Sequence, residues 1–325
     1  MGISEAAARD LSRICGGRIE RDVPLAALSR WRIGGAADLV LRPASGTEVA
    51  ALRRYFYDRR IAHVVIGETS NLLFHDAGLR VPCIQIGAAM ADVTVAGEVV
   101  SAEAGLWIPA LARRIMQAGL TGAEHICGIP GTVGGLICMN GGSQRKGIGS
   151  AVVCVTAVDR RGEMTERLAE ACGFAYRLSV YQTNDEIITS ARLRFRHGDR
   201  REIRREMLAI LADRRRKFPR AQPNCGSVFK SNPAMYDEVG PPGAVIERLG
   251  FKGRRIGGAR VSPDHANFIV NAGGARATDV MALIAEISET VLRTTGHRME
   301  VEVRLVMPDG AIVPADATLT EGCSG

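Results

Sequence analysis

Apolar and polar residues change their spacing repeatedly along the chain, and each change predicts an element. Toward the C-terminal end, Val280, Leu283, Ile284, Ile287 and Val291 recur at three- and four-residue intervals, which predicts a long amphipathic helix ended by Gly296. Directly after it, "MEVEVRLV" (residues 299–306) alternates. Met299, Val301, Val303 and Leu305 face one way and Glu300, Glu302 and Arg304 the other, the period-two signature of a half-buried strand. Helical spacing also predicts a helix over 46–59 with Val49, Leu52 and Phe56 on one side. Another starts near Trp107, with Pro109 in its first turn and Gly119 just past its end. Hairpins are predicted over 93–102, turning at Gly97 and Glu98, and over 152–165, turning at Arg161 and Gly162. Shorter strands fall at 38–41, 64–67 and 187–195. Helix and strand signals alternate throughout, without internal repeats or low-complexity tracts.

One helix changes the charge picture. Ile203, Met207, Ile210 and Leu211 form an apolar stripe over about 200–216, and arginines crowd the other face of "RREIRREMLAILADRRRK". This segment supplies much of the net charge of +7 and reads as a bridge into a new unit. A solvated face paired with Glu202 and Glu206 is the plain reading. A nucleic-acid groove is the alternative, but no aromatic RNA-binding motif or zinc finger accompanies it. A third reading has Lys217, at the end of the run, reach a phosphorylated small ligand.

Composition narrows the class. With 325 residues, 46% apolar and 24% charged, the chain can bury one large core or two to three smaller ones. No apolar run approaches the ~20 residues of a membrane span. The opening "MGISEAAARDLSRICGG" lacks the pattern of a secretory signal, so a cytoplasmic protein is expected. The eight cysteines are scattered without a CxxC pair, and the six histidines form no HxH or HExxH cluster. Reduced thiols and no metal site are expected.

Two glycine-bearing loops follow strand signals, "VIGETSNLL" (65–73) and "GIPGTVGG" (128–135). Neither is a Rossmann fingerprint or a P-loop. Both are read as tight turns needing positive φ or as anion-binding nests, in which amides without a Cβ approach a pyrophosphate and Ser70 and Asn71 add donors.

At this point the sequence resembles the UDP-N-acetylenolpyruvoylglucosamine reductases. The likeness rests on "RIGGAADL" (32–39), "SNLL" (70–73), "GIPGTVGG" followed by "MNGG", "CGFAYRLS" (172–179), "GSVFK" (226–230), "IGGARVSPDHANFIVN" (256–271) and "MEVEVR" (299–304), in the family's order. It implies an α+β architecture: a two-subdomain FAD-binding fold of the vanillyl-alcohol-oxidase-like (PCMH) type plus a C-terminal α+β substrate domain. The expected boundaries are a helical lead-in over 1–20, an FAD-binding domain over 21–200 (subdomains about 21–86 and 87–200), a substrate domain over 201–310 and a tail over 311–325. FAD, bound non-covalently, and NADPH as co-substrate are implied. So is hydride delivery from the flavin to the enolpyruvyl ether of a UDP-sugar, giving UDP-N-acetylmuramate. A paralogous flavin reductase or oxidase acting on a related nucleotide sugar is the alternative.

Residue by residue, the resemblance implies FAD contacts from Gly67, Thr69, Ser70, Asn71, Leu72, Gly128, Ile129, Pro130, Gly131, Thr132, Gly134 and Gly135. Arg177 matches the arginine that neutralises the substrate carboxylate, Ser227 the serine that donates a proton, and Glu302 the glutamate that assists at the intermediate. On residue type alone, Arg177 is a surface ion pair, Ser227 a turn residue and Glu302 part of a charge ladder with Glu300 and Arg304. Tyr176 and Lys217 match substrate positions, Lys217 on the UDP phosphates. No membrane or nucleic-acid partner is expected; the oligomeric state is left open, a monomer being the favoured form. "GSVFK" and the fifty residues between Tyr176 and Ser227 resemble the family branch that lacks a tyrosine-bearing lid over the uridine. Three departures stand out. Thr69 replaces a glycine, which calls for a rearranged or strained turn. "MNGGSQRKG" (139–147) puts Gln144, Arg145 and Lys146 beside the flavin loop. "FKSNP" (229–233) carries an extra residue near Ser231.

Overall fold

The computed structural model describes residues 4–219, 221–231 and 233–317. The last eight residues of the expected tail, and Asn232 beside the inserted position, lie outside them. The chain divides into two compact units. One comprises the chain up to Arg21, Leu39–Glu68 and Pro82–Arg214; the other comprises Asp22–Asp38, Thr69–Val81 and the chain from Arg215. The division cuts through the expected 21–86 subdomain. The reason is visible in the second unit, where the Trp31 indole N–H donates to the Ile269 carbonyl at 2.7 Å and Leu72–Phe74 pairs in parallel with Arg304–Val306.

In the first unit, five antiparallel strands run in the order Met164–Leu168, Val152–Val158, Ile187–Arg194, Val99–Glu103 and Val93–Ala96. Both expected hairpins are in this sheet. A parallel set joins residues 40–41, Cys83–Gln85 and Val64–Ile66. Gly46–Arg59 starts where the Ser45 hydroxyl accepts the Glu48 N–H, and it buries Val49, Leu52 and Phe56 as its spacing requires. Ile108–Gln117 buries Ile108, Leu111, Ala112 and Ile115, and Gly119 follows it at φ 71°. Arg200–Lys217 packs Ile203 and Ile210 inward, with Met207 and Leu211 half-buried; its arginines are exposed except Arg214, which is half-buried against Gly128.

The second unit centres on the long helix Ala277–Thr295. Its expected stripe of Val280, Leu283, Ile284, Ile287 and Val291 is fully buried, and Gly296 ends it at φ 74°. It packs beside a three-stranded antiparallel sheet, Arg255–Ile256, Ala259–Val261 and Ile269–Asn271.

Three local differences from the sequence reading have physical causes. The alternation over 299–306 is kept, with Met299, Val301, Val303 and Leu305 buried, but the pairing is split. Val301 bridges Phe229, whereas Arg304–Val306 pairs with Leu72–Phe74 and Ile312–Pro314, so one apolar pattern serves two partners. The glycine stretch, which gave no helix signal, contains the helix Val133–Cys138, with the Thr132 hydroxyl accepting the Gly135 N–H at 3.4 Å. Val133, Leu136 and Ile137 are its buried face, a spacing that glycine on either side disguises. The turn-forming "ETSNLL" runs straight into a strand, because Leu73 and Phe74 are fully buried.

Three histidines bear on stability. Burial pushes His63, His125 and His265 below the usual imidazole range. His63 faces Arg53 and Asp185, His125 faces Lys146 and Glu124, and His265 faces Lys252, Lys217 and Glu247. A pKa lower in the folded state means that the unfolded chain binds more protons between the folded value and about 6.5. Stability from these groups is therefore complete above about pH 6.5 and is lost as pH falls through the folded values. The melting temperature is expected to decline from pH 7 to pH 5, and His125→Phe should flatten part of that decline. An unchanged slope in that variant counts against the buried neutral imidazole as its source.

Candidate active site

In the first unit the two glycine loops meet. A Cβ on Gly67 would lie 2.7 Å from the Thr132 hydroxyl oxygen, so only glycine lets residues 67 and 132 approach this closely. The loop 128–135 is held by its own backbone. Gly131 O accepts the Ile108 N–H, Val133 N–H donates to Leu106 O, and Gly134 N–H donates to Ala104 O. Among the described residues the amides of Gly128, Gly131 and Thr132 donate to no protein acceptor. Gly135 is exposed, and a Cβ there would meet nothing nearer than the Thr132 hydroxyl at 3.6 Å. Undirected amides beside bare backbone are what a pyrophosphate requires. These residues fit a dinucleotide cofactor. On the other side of this loop, the Arg214 side chain occupies the space of a Gly128 Cβ, within 2.6 Å of it. Cys127, whose thiol burial pushes upward, points its Sγ at the Met207 carbonyl.

Arg177 is the third residue of a four-residue turn closed by reciprocal 3.1 Å bonds between Ala175 and Leu178. Its φ is 54°, a left-handed conformation uncommon for a side chain of this size. Its guanidinium carbon lies 5.6 Å from the centre of the Tyr176 ring, and Tyr176 is 58% exposed. The Gln144 and Arg145 backbones are also left-handed, at 55° and 62°, in an exposed loop anchored where the Ser143 hydroxyl donates to the His125 carbonyl.

In the second unit three distant stretches join. Glu302 N–H donates to Val228 O at 2.8 Å, and Lys230 N–H donates to Glu300 O at 2.9 Å, so residues 228–230 run antiparallel to 300–302. The Asn71 side-chain amide donates to Glu302 O at 3.1 Å, and Arg304 N–H donates to Asn71 O. The Cys225 thiol donates to the carbonyls of Thr69 and Leu72. Thr69, Ser70, Asn71 and Leu72 are thereby assembled with Ser227 and Glu302, whereas Arg177, Gly67 and the 128–135 loop belong to the first unit. Glu300 is 69% exposed in its side chain and forms an ion pair with Lys230. Thr69 keeps the left-handed turn at φ 53° instead of rearranging it, and its buried hydroxyl repairs the position by donating to Leu28 O at 3.0 Å and accepting the Arg30 N–H at 3.1 Å. Lys217 stands exposed at the end of its helix.

Residues 37–167 match the family described as FAD binding domain. Residues 218–306 match the family described as UDP-N-acetylenolpyruvoylglucosamine reductase, C-terminal domain. The chain is 41% identical to UDP-N-acetylenolpyruvoylglucosamine reductase 1 of Corynebacterium glutamicum, over 94% of this chain and 91% of that one. The chain belongs to the UDP-N-acetylenolpyruvoylglucosamine reductase family. The reductase of Heliobacterium modesticaldum is 39% identical over 91% of this chain and 93% of its own. The crystal structure of the Thermus caldophilus reductase superposes with a TM-score of 0.76 at 29% identity, covering 89% of this chain and 98% of that one. The reductase fold thus combines the FAD-binding and C-terminal portions expected from the motifs. The Gln182 side chain, which touches both Arg177 and the glycine helix, was missed by motif reading, because no glycine or charge marks it.

Proposed function

We propose that this chain is the FAD-dependent reductase that uses NADPH to convert UDP-N-acetylglucosamine enolpyruvate to UDP-N-acetylmuramate in peptidoglycan precursor synthesis. The observation that carries the reading is the joining of 69–72, Ser227 and Glu302 in one hydrogen-bonded patch, in a chain of this family. When bound, FAD supplies the hydride carrier between NADPH and the substrate's terminal carbon. Gly67, Ser70, Asn71 and the amides of Gly128, Gly131 and Thr132 would hold it without a covalent bond. The Cys127 thiol, raised in pKa and committed to a carbonyl, is a poor tether. Arg177 pairs with the substrate carboxylate, whose negative charge grows as the double bond is reduced, and its planar fork suits two carboxylate oxygens. Ser227 gives its hydroxyl proton to the carbon next to that carboxylate, and Glu302 assists at the charged intermediate. Tyr176 orients the substrate.

The deciding experiment is anaerobic. The yellow protein should bleach with NADPH and regain its colour when UDP-N-acetylglucosamine enolpyruvate is added. A protein that purifies without flavin, or bleaches but stays bleached with this substrate, overturns the assignment. No described helix is long and apolar enough to cross a membrane.

The uridine end is held by charge rather than by an aromatic lid. From 178 to 219, the 3-10 turn Val180–Gln182, the strands Ile187–Arg194 and Arg196–His197 and the helix Arg200–Lys217 take up most of the chain, which supports the branch without the inserted loop. Lys217, Arg215 and Arg216 are exposed, so their attraction for a diphosphate is screened over ~8–10 Å near physiological salt. The apparent KM for the nucleotide sugar should rise up to about fivefold across a salt series, the equivalent of the ~1 kcal/mol that an exposed pair carries. A KM indifferent to salt points to a stacked aromatic side chain instead.

A further inference from the structure

We propose that Gln182 is a positioning residue that sets the place of Arg177. The inference rests on the role given to Arg177 above. Arg177 occupies a left-handed backbone conformation that favours glycine or asparagine, so its surroundings must hold it there. Three side chains tie its turn to the end of the glycine helix Val133–Cys138. The Asn140 amide donates to Ala175 O at 2.8 Å, and the Ser179 hydroxyl donates to Cys138 O at 2.7 Å. The Gln182 amide does two things at once: it donates to Cys138 O at 3.0 Å and to Arg177 O at 2.9 Å. Of the three, it alone grips Arg177 itself.

The chemistry of this clamp is specific. Cys138 is the last residue of its helix, so its carbonyl has no intrahelical donor and takes two side-chain donors instead. The two protons of one planar amide then fix the separation between that helix end and the Arg177 backbone. Without them, Cys138 O would keep the Ser179 hydroxyl but nothing would tie it to Arg177 O, and the turn would be free to shift and relieve the left-handed φ. A displacement of about 1 Å at a substrate-orienting group can cost on the order of 10²-fold in rate. The same helix begins within the 128–135 stretch, at Val133, so Gln182 sets Arg177 against the loop assigned to the cofactor.

The test uses the flavin-loaded enzyme and both half-reactions in a stopped-flow instrument. Gln182→Met keeps length and removes both donors; Gln182→Lys restores donors that can serve both carbonyls. In Gln182→Met, reoxidation by UDP-N-acetylglucosamine enolpyruvate should slow by roughly 10- to 10²-fold. Bleaching by NADPH, the flavin absorbance spectrum and the melting temperature should remain close to the parent's. Gln182→Lys should recover most of the loss. Placed in an Arg177→Ala background, Gln182→Met should cost nothing further, since the two act as one unit. The proposal is overturned by unchanged reoxidation in Gln182→Met, by an equal fall in both half-reactions, or by additive losses in the double variant. If the parent enzyme itself is not reoxidised by this substrate, the functional assignment has failed and this inference with it; normal parent and normal Gln182→Met reoxidation defeat the inference alone.

Discussion

Ser227→Ala is expected to leave the bleaching of the flavin by NADPH within about twofold of the parent while slowing reoxidation by the enolpyruvyl substrate roughly 10²–10⁴-fold, the range that loss of a general acid costs. The asymmetry follows from the chemistry. Reduction of the flavin needs no proton from a serine, whereas saturating the substrate double bond requires one proton at the carbon beside the carboxylate. A serine hydroxyl is a weak acid and can serve only a strongly basic intermediate. The structure leaves room for this role: Gly226 precedes Ser227 at φ 84° and has nothing within 4 Å of where its Cβ would be. Ser227 is half-buried, one residue before the Val228 carbonyl that accepts the Glu302 N–H. Rapid-reaction absorbance at the flavin band reads both steps separately. Equal slowing of the two steps would assign Ser227 to the shape of the flavin site rather than to proton delivery.

Much of the fold was legible because most of its elements keep a clean period. The helices Gly46–Arg59 and Ala277–Thr295 bury the residues their spacing selects, since each packs one face on one neighbour. The candidate site was legible as motifs but not as geometry. Nothing in the local sequence says that Asn71 lies against Glu302, because that contact joins residues 231 positions apart. Trp31 reads as a lone aromatic, yet its indole reaches across 238 positions to Ile269. Thr69 shows the opposite limit. Its β-branch argues against positive φ, and its hydroxyl bonds to Leu28 and Arg30, neither of which a local rule could foresee, help to hold the conformation. Gln182 escaped notice for a similar reason: its chemistry is ordinary, and only its position between two carbonyls gives it a task.

Glu302→Gln should slow steady-state turnover by roughly 10²-fold or more, the lower end of what a catalytic proton-handling group contributes, while Glu300→Gln should stay within about tenfold of the parent, or ~1.4 kcal/mol in barrier. The two glutamates lie two residues apart on an alternating segment, so sequence periodicity gives them the same face and cannot rank them. Their partners differ. The antiparallel register sets Lys230 opposite Glu300, and the two side chains form an ion pair at the exposed edge, an arrangement typically worth under ~1 kcal/mol. Glu302 is opposite Val228, beside Ser227, and its carbonyl is held by the Asn71 amide of the loop assigned to FAD. The main chain at position 302 therefore joins the stretches that carry Ser227 and Asn71, whereas the Glu300 carboxylate is engaged by Lys230. Melting curves of both variants will show whether a loss of activity comes from unfolding. If Glu300→Gln proves the more damaging with its melting temperature intact, the charge that matters lies at the Lys230 edge, and the catalytic role passes from Glu302 to Glu300.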